Sequence, residues 1–168
     1  MSTTTDAPQV ANGFRSAMRR MASSVCVITT SNGEMHQGMA ASSVTSLSMQ
    51  PPSLLVCINK SVAMHEAVHK AGLFCVNLLG EQHGPVCDAF GGKLSGQERF
   101  TVGQWTESAQ GLRYLIDAPA AIICRLAAAH DYGTHTICIG AVEDVILAEH
   151  GAPLLYREGG VGKFVHLV

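Results

Sequence analysis

His65-Glu66-Ala67-Val68-His69 has the residue types and spacing of a hydrolytic zinc site. Two histidines four apart share one helix face, where neutral imidazoles bind zinc, and the glutamate between them activates water. That chemistry also needs a third ligand. Where the glycine-containing variant of the motif would supply one after Gly72, this chain has Cys75, inside the apolar run LFCVNLL. A helix that starts no earlier than Ser61 also leaves His65 in its first turn or two. The segment therefore reads as a short surface helix, with His65 and Lys70 outward and Val62 and Val68 inward. No metal is expected, and a zinc hydrolase built on His65 and His69 is the remote alternative.

Three other segments carry polar groups in suggestive places. GMAASSVTSLSMQPP concentrates hydroxyls at Ser42, Ser43, Thr45, Ser46 and Ser48. Buried hydroxyls need partners, which a phosphate, a ribityl chain or a flavin ring edge would supply; on an edge strand, water supplies them instead. The sequence leaves both open. CINKS sets Asn59, Lys60 and Ser61 at a strand-to-helix junction, where free N–H groups beside a lysine make an anion site. A capping side chain and a solvated lysine is the plainer reading. In DYGTHTICIG, His135 follows Gly133 at the mouth of a strand and can donate to a ligand, although a histidine so placed is more often a surface residue.

No phosphate-loop motif occurs, and no G-x-G-x-x-G lies between a strand and a helix; Gly159-Gly160-Val161-Gly162 reads as a hairpin turn. Any nucleotide is therefore held without a glycine-rich loop. Six cysteines are scattered, none as C-x-x-C, and most lie in apolar runs such as VCVI and FCVN. They behave as small core residues rather than as metal ligands or nucleophiles.

The elements that must position these groups follow from periodicity. NGFRSAMRRMAS has helical spacing at Phe14, Ala17, Met18 and Met21, with Asn12 as N-cap. VCVITT, SLLVCIN, LFCVNLL, AAIICRLAAAH, HTICIGAVEDVIL, PLLYRE and KFVHLV read as strands, as do the Ser/Thr-rich segment and a run starting near Met35. SVAMHEAVHKAG is a helix closed by Gly72 at a C-cap position. A further short helix ends near Phe90 and gives way to the loop GGKLSGQ. Many strands with only two or three short helices predict a mainly β protein, a small barrel with helical decoration. Residues 1–13 read as a loose N-terminal tail and 14–168 as one domain.

Of the 168 residues, 47% are hydrophobic and 14% charged, which suggests surface buried against a subunit partner. Net charge is −2 and no basic run stands out, so nucleic acid has no electrostatic footprint here. No apolar run approaches the ~18 residues of a membrane span. The N-terminus lacks the features of a signal peptide, so a cytoplasmic protein with reduced thiols is expected.

Taken in order, FRSAMRRMASSVCVITT, GMAASSVTSLSMQPPSLLVCINKS, FCVNLL, FGGK with ERF, GTHTICIGAVEDV and PLLYREGGVGKF resemble the short-chain flavin reductases, from Phe14 to Phe164. That family has an FMN-binding split barrel of Greek-key type and supplies reduced flavin to two-component monooxygenases. The resemblance implies an NAD(P)H:flavin oxidoreductase, with NADH or NADPH as donor and FMN or FAD as acceptor. It also implies a homodimer and a flavin-dependent monooxygenase partner, an aromatic hydroxylase by branch resemblance to 4-hydroxyphenylacetate monooxygenase reductases. It assigns flavin contacts to Ala41, Ser42, Ser43, Val44, Thr45, Ser46, Cys57, Asn59, Lys60 and Ser61, with Phe90, Lys93 and Arg99 closing the site. His135 and Phe164 would meet the nicotinamide nucleotide. No residue acts as acid, base or nucleophile. Two departures stand out: Thr134 replaces a common aspartate before His135, and Ala40 replaces a common threonine. A non-catalytic flavin- or haem-binding split barrel, or an oxidase-like relative that retains its flavin, are the alternatives within the fold.

Overall fold

The aliphatic and β-branched runs form strands in the computed structural model, which describes residues 7–149 and 151–167. β1 (Ser23–Ser24) leads into β2 (Cys26–Ser31), β3 (His36–Ala41), β4 (Val44–Met49), β5 (Pro52–Asn59) and β6 (Leu73–Leu78). After a helical segment come the short β7 (Trp105–Glu107) and β8 (Arg113–Leu115), then the long β9 (Ala120–Tyr132) and β10 (His135–Leu147). β11 (Leu154–Arg157) and β12 (Gly160–Lys163) close the order. The main sheet is antiparallel and runs β3-β2-β6-β9-β10-β5-β4; β1-β11-β12 and β7-β8 form two small sheets.

The edges of the main sheet are β3 and β4, and only Ser42 and Ser43 separate them in sequence. Three peptide steps reach at most about 11 Å, whereas seven flat strands would hold the edges about 29 Å apart. The sheet must therefore roll until its edges approach. No ladder joins β3 to β4 among the described residues, so the result is a barrel split along that seam. This is the expected mainly β split barrel. Its interior is filled by Ile28, Val56, Ile58, Phe74 and Val76 from three strands, with Cys124 and Cys138 between them. A second cluster, around Phe90, Phe100 and Leu115, packs under the helical segment.

The cysteines take the core role expected of them. Burial pushes the thiols of Cys26, Cys75 and Cys124 up to about 12 and that of Cys138 to about 11, so none is a thiolate at neutral pH. In the folded protein a thiol-specific reagent at pH 8 should therefore label Cys57 and Cys87, the two half-buried thiols. All six should react in denaturant; rapid native labelling of more than two would contradict this packing.

Helix α1 (Ala7–Arg19) begins inside the segment read as a loose tail. Pro8 is tolerated because it sits in the first turn, where its missing N–H has no intrahelical partner to lose. Asn12, expected as the N-cap, lies mid-helix and accepts a hydrogen bond from Arg15 Nη1 at 3.3 Å. Residues 1–6 of that tail lie outside the described residues. Helix α2 (Ala63–Ala71) carries the His65–His69 motif and ends as expected: Gly72 adopts φ 66° and its N–H bonds to Val68 O. Val68 is fully buried, but Val62 is an exposed N-cap rather than a core residue.

The stretch expected as a short helix and a loop is largely helical in character: α3 (Gly84–Asp88), a π turn over Ala89–Lys93 and a 3-10 segment over Gly96–Thr101. Arg99 fastens it, donating from Nε to Leu94 O and from Nη1 to Gly38 O. Of KFVHLV, expected as a strand, Lys163 ends β12 and residues 164–167 form no strand, while Val168 lies outside the described residues. Pairing stops at Lys163 because β11 offers only four partners, and Leu154 at its start is already matched to Lys163.

Candidate functional site

Cross-strand partners share a sheet face, and the registers sort the expected site residues. Val44 pairs with Val56 and Ser46 with Leu54, both of whose side chains are buried inside the barrel. Thr45 pairs with Leu55, which alternates with Cys57 and Asn59 along the outer face of β5. On the other side of β5, Cys57 pairs with Ile137 and Asn59 with His135. Thr45, Cys57, Asn59 and His135 therefore lie on one outer strip. Ser43 joins it at the seam: its carbonyl accepts from Cys57 N at 3.2 Å and its hydroxyl donates to Cys57 O at 2.9 Å. Ser42, Ser43, Thr45 and Ser46 are exposed, so this is an edge strand whose hydroxyls are open to water or a ligand.

At the end of the strip the chain turns into α2. Asn59 Oδ1 accepts from both the N–H and the hydroxyl of Ser61, at 2.9 Å each, which leaves the Asn59 amide as a free donor. Lys60 N donates to Thr134 O at 2.9 Å, tying this corner to the two-residue turn of the β9–β10 hairpin. Thr134, which replaces the family's aspartate, lies with its hydroxyl 2.9 Å from His135 Nδ1. The histidine is thus contacted by a hydroxyl rather than by a carboxylate.

A hydrogen-bonded relay backs the corner, and two of its members, Thr136 and Asp131, were assigned no site role from sequence. Thr136 is fully buried and donates its one hydroxyl hydrogen to Asp131 Oδ1 at 2.6 Å. His65 Nε2, 2.8 Å from the Thr136 hydroxyl oxygen, must then be the donor to it. The Asp131 carboxylate in turn lies 3.6 Å from the Lys60 ammonium. The Thr136 hydrogen bond, and after it the charge of Lys60, hold the Asp131 carboxyl below its ordinary value. One signal was available: a hairpin turned by Gly133-Thr134 sets Asp131 opposite Thr136. Ending the strand at His130 hides that pairing.

The same contacts account for the zinc-like motif. The Nε2 of His65 is committed to Thr136, His69 Nδ1 donates to His65 O at 2.7 Å, and Glu66 turns outward to Lys70 at 2.6 Å. The two histidines and the glutamate are engaged in building α2 and its contact to the hairpin.

Beside the corner lies a groove of about 320 Å³, walled by Met39 and Ala40 of β3, by Val62, Ala63 and Met64 at the start of α2, and by Phe90, Gly91 and Gly92. A Cβ at Gly91 or Gly92 would meet no atom within 4 Å, so these residues leave open space on that wall. The groove opens on the N-terminus of α2, whose unbonded N–H groups favour an anion, with Lys60 just before it in the chain. Small residues on the wall, an anion-favouring helix end and a free amide donor on the adjoining strip fit a phosphorylated flavin.

Other expected residues join less directly. A second cavity, of about 430 Å³ and largely apolar, is lined by Val44, Thr45 and Ser46 together with Cys26, Leu78 and Val142. Phe90 meets the groove from inside the second core cluster, and Arg99 lines it while fastened to two carbonyls. Lys93 is ion-paired with Asp88 at 2.6 Å. Phe164 is half exposed just past β12, edge-on to His166, and lines neither depression. A larger cavity of about 530 Å³ near Gln82 and Val161 contains none of the expected residues.

Residues 18–164 match the flavin reductase like domain. The chain is 44% identical over 150 residues to the reductase component of the FADH(2)-dependent resorcinol hydroxylase of Rhizobium sp. (strain MTP-10005), covering 88% of this chain and 84% of that protein. It is 41% identical over 151 residues to an FMN reductase (NADH), RutF 1, of Methylorubrum extorquens, covering 90% of this chain and 75% of that one. The fold superposes on the flavin reductase PheA2 in its native state with a TM-score of 0.84 at 31% identity, over 92% of this chain and 98% of the other. A split barrel whose outer strip ends in an Asn-Lys-Ser corner, matched along nearly its whole length to these proteins, belongs to the flavin-reductase-like family.

Proposed function

We propose that the chain transfers a hydride from NADH to FMN or FAD and releases the reduced flavin to a partner oxygenase. The observation that carries this reading is the bond from Lys60 N to Thr134 O. It brings the Asn59-Lys60-Ser61 corner and His135 to one place on the sheet. Bound flavin supplies the two-electron acceptor and the nicotinamide nucleotide the hydride; the protein contributes position. The Asn59 amide and nearby backbone N–H groups donate to the pyrimidine edge of the flavin, where negative charge develops on reduction. Ala40, Gly91 and Gly92 admit the ribityl chain to the groove, and the N-terminus of α2 with Lys60 meets the phosphate. His135, held through Thr134, orients the nicotinamide nucleotide. No side chain is assigned as acid, base or nucleophile.

The test is a steady-state assay of NADH and NADPH against riboflavin, FMN and FAD. NADH oxidation is expected to depend on added flavin; flavin binding without turnover would mark a non-catalytic member of the fold. His135→Ala should raise KM for NADH severalfold and change KM for flavin little. Unchanged NADH affinity would remove His135 from its role.

The working unit is a homodimer. Val10, Phe14, Met18 and Met21 form an apolar stripe along α1 and just past its end that none of the described residues covers, each residue being 45–66% exposed. Such a stripe is what a second copy would bury. A monomeric mass at micromolar concentration would refute this. No helix among the described residues is long and apolar enough to cross a membrane; the protein is proposed to work in the cytoplasm. Its oxygenase is proposed to be an aromatic hydroxylase, reached by diffusing reduced flavin.

A further inference from the structure

The cations around the proposed flavin site are already engaged. Arg99 is fastened to two backbone carbonyls, Lys93 is paired with Asp88, and Lys60 faces Asp131. The last of these pairings is built in. An exposed carboxylate on a hairpin is normally free to swing into water, and its pairing with a lysine is then worth little. Asp131 is not free: the buried Thr136 hydroxyl grips one carboxylate oxygen at 2.6 Å, and His65 from α2 holds that hydroxyl in turn. The other carboxylate oxygen is left directed at the Lys60 ammonium.

We infer that Asp131 is a positioning residue that offsets the charge of Lys60, so that the phosphate of a flavin gains little from the lysine that shortly precedes α2. This rests on the proposed seating of the phosphate at the N-terminus of α2. The consequence is a site that selects the isoalloxazine and ribityl parts of its ligand over the phosphate. It holds riboflavin nearly as well as FMN and lets the reduced product leave. A fixed negative charge next to the phosphate site weakens binding in proportion to ligand charge, so neutral riboflavin is the internal control.

The experiment measures Kd by quenching of flavin fluorescence, without donor, for FMN and riboflavin. The proteins are wild type, Asp131→Asn, Lys60→Ala and the double variant. Wild type should bind the two ligands within about fivefold of each other, and Asp131→Asn should tighten FMN about three- to fivefold, the range of one released surface charge pair. Riboflavin affinity should not move. Lys60→Ala should weaken FMN selectively, and the double variant should lose the tightening. If Lys60→Ala weakens FMN while Asp131→Asn leaves the FMN-to-riboflavin ratio as in wild type, or lowers it, the inference fails and the seating of the phosphate stands. Equal shifts of both ligands by Asp131→Asn would show a structural effect and likewise overturn it. If Lys60→Ala leaves the ratio unchanged, the seating fails and takes the inference with it.

Discussion

Valine in place of Gly140 should destabilise the protein by about 3 kcal/mol or more, the upper range for forcing extra carbons into a packed interior. Gly140 lies on β10 at a register shift against β9, where the two longest strands cross the barrel core. A Cβ there would sit 2.5 Å from Phe74 Cζ and 2.8 Å from Cys124 Cβ. Neither neighbour can retreat: Phe74 is 1% exposed and Cys124 fully buried. For a chain of this length the midpoint of thermal unfolding should fall by roughly 6–12 °C. Gly140→Ala should show a smaller loss. Adding Phe74→Leu to the valine variant should recover part of the stability, because it removes the closest atom. A valine variant that melts with the wild type would mean that β10 does not approach Phe74 as described.

The other large effect is expected at Phe90. Its ring is buried in an aromatic cluster, 5.1 Å from the rings of both Phe100 and Trp105, and it also lines the groove beside the Asn59–Ser61 corner. Phe90→Ala should cost about 3–5 kcal/mol, the usual range for deleting a buried aromatic ring. It should also weaken flavin binding, since the void opens into the groove wall. Trp105 is the chain's single tryptophan, so its emission reports the change directly: a red shift in the folded variant and an earlier unfolding transition. Phe90→Leu should retain most of the stability and little of the emission change. An alanine variant with wild-type stability would place Phe90 outside the core.

Much of this was legible in the chain. β5, β6 and α2 are bounded by signals that local physics fixes: apolar alternation, a Pro-Pro break and a glycine at a helix end. The Asn59-Lys60-Ser61 corner could be named because a strand-to-helix junction is a local event. What escaped depends on distant partners. His65 and Thr136 are far apart in sequence and meet only once α2 packs against the β9–β10 hairpin, so no periodicity announces the relay. The zinc-like spacing of His65 and His69 marks α2, where both rings are taken up by contacts to Thr136 and to the helix backbone. KFVHLV has strand-forming composition but no strand to pair with beyond Leu154. The helical character of 89–101 comes from packing of Phe90 and Phe100 and from the Arg99 anchor, none of which a glycine-rich stretch advertises.

The Ser42-Ser43 link acts as a hinge pin. It tethers the two rims of the barrel covalently, at minimal entropic cost for so short a loop, yet no ladder crosses between them. A slight rotation of one rim about that pin would widen the mouth without breaking an interstrand hydrogen bond. A flat ligand at that mouth would then enter and leave while the hydrogen-bonded wall behind it stays shut.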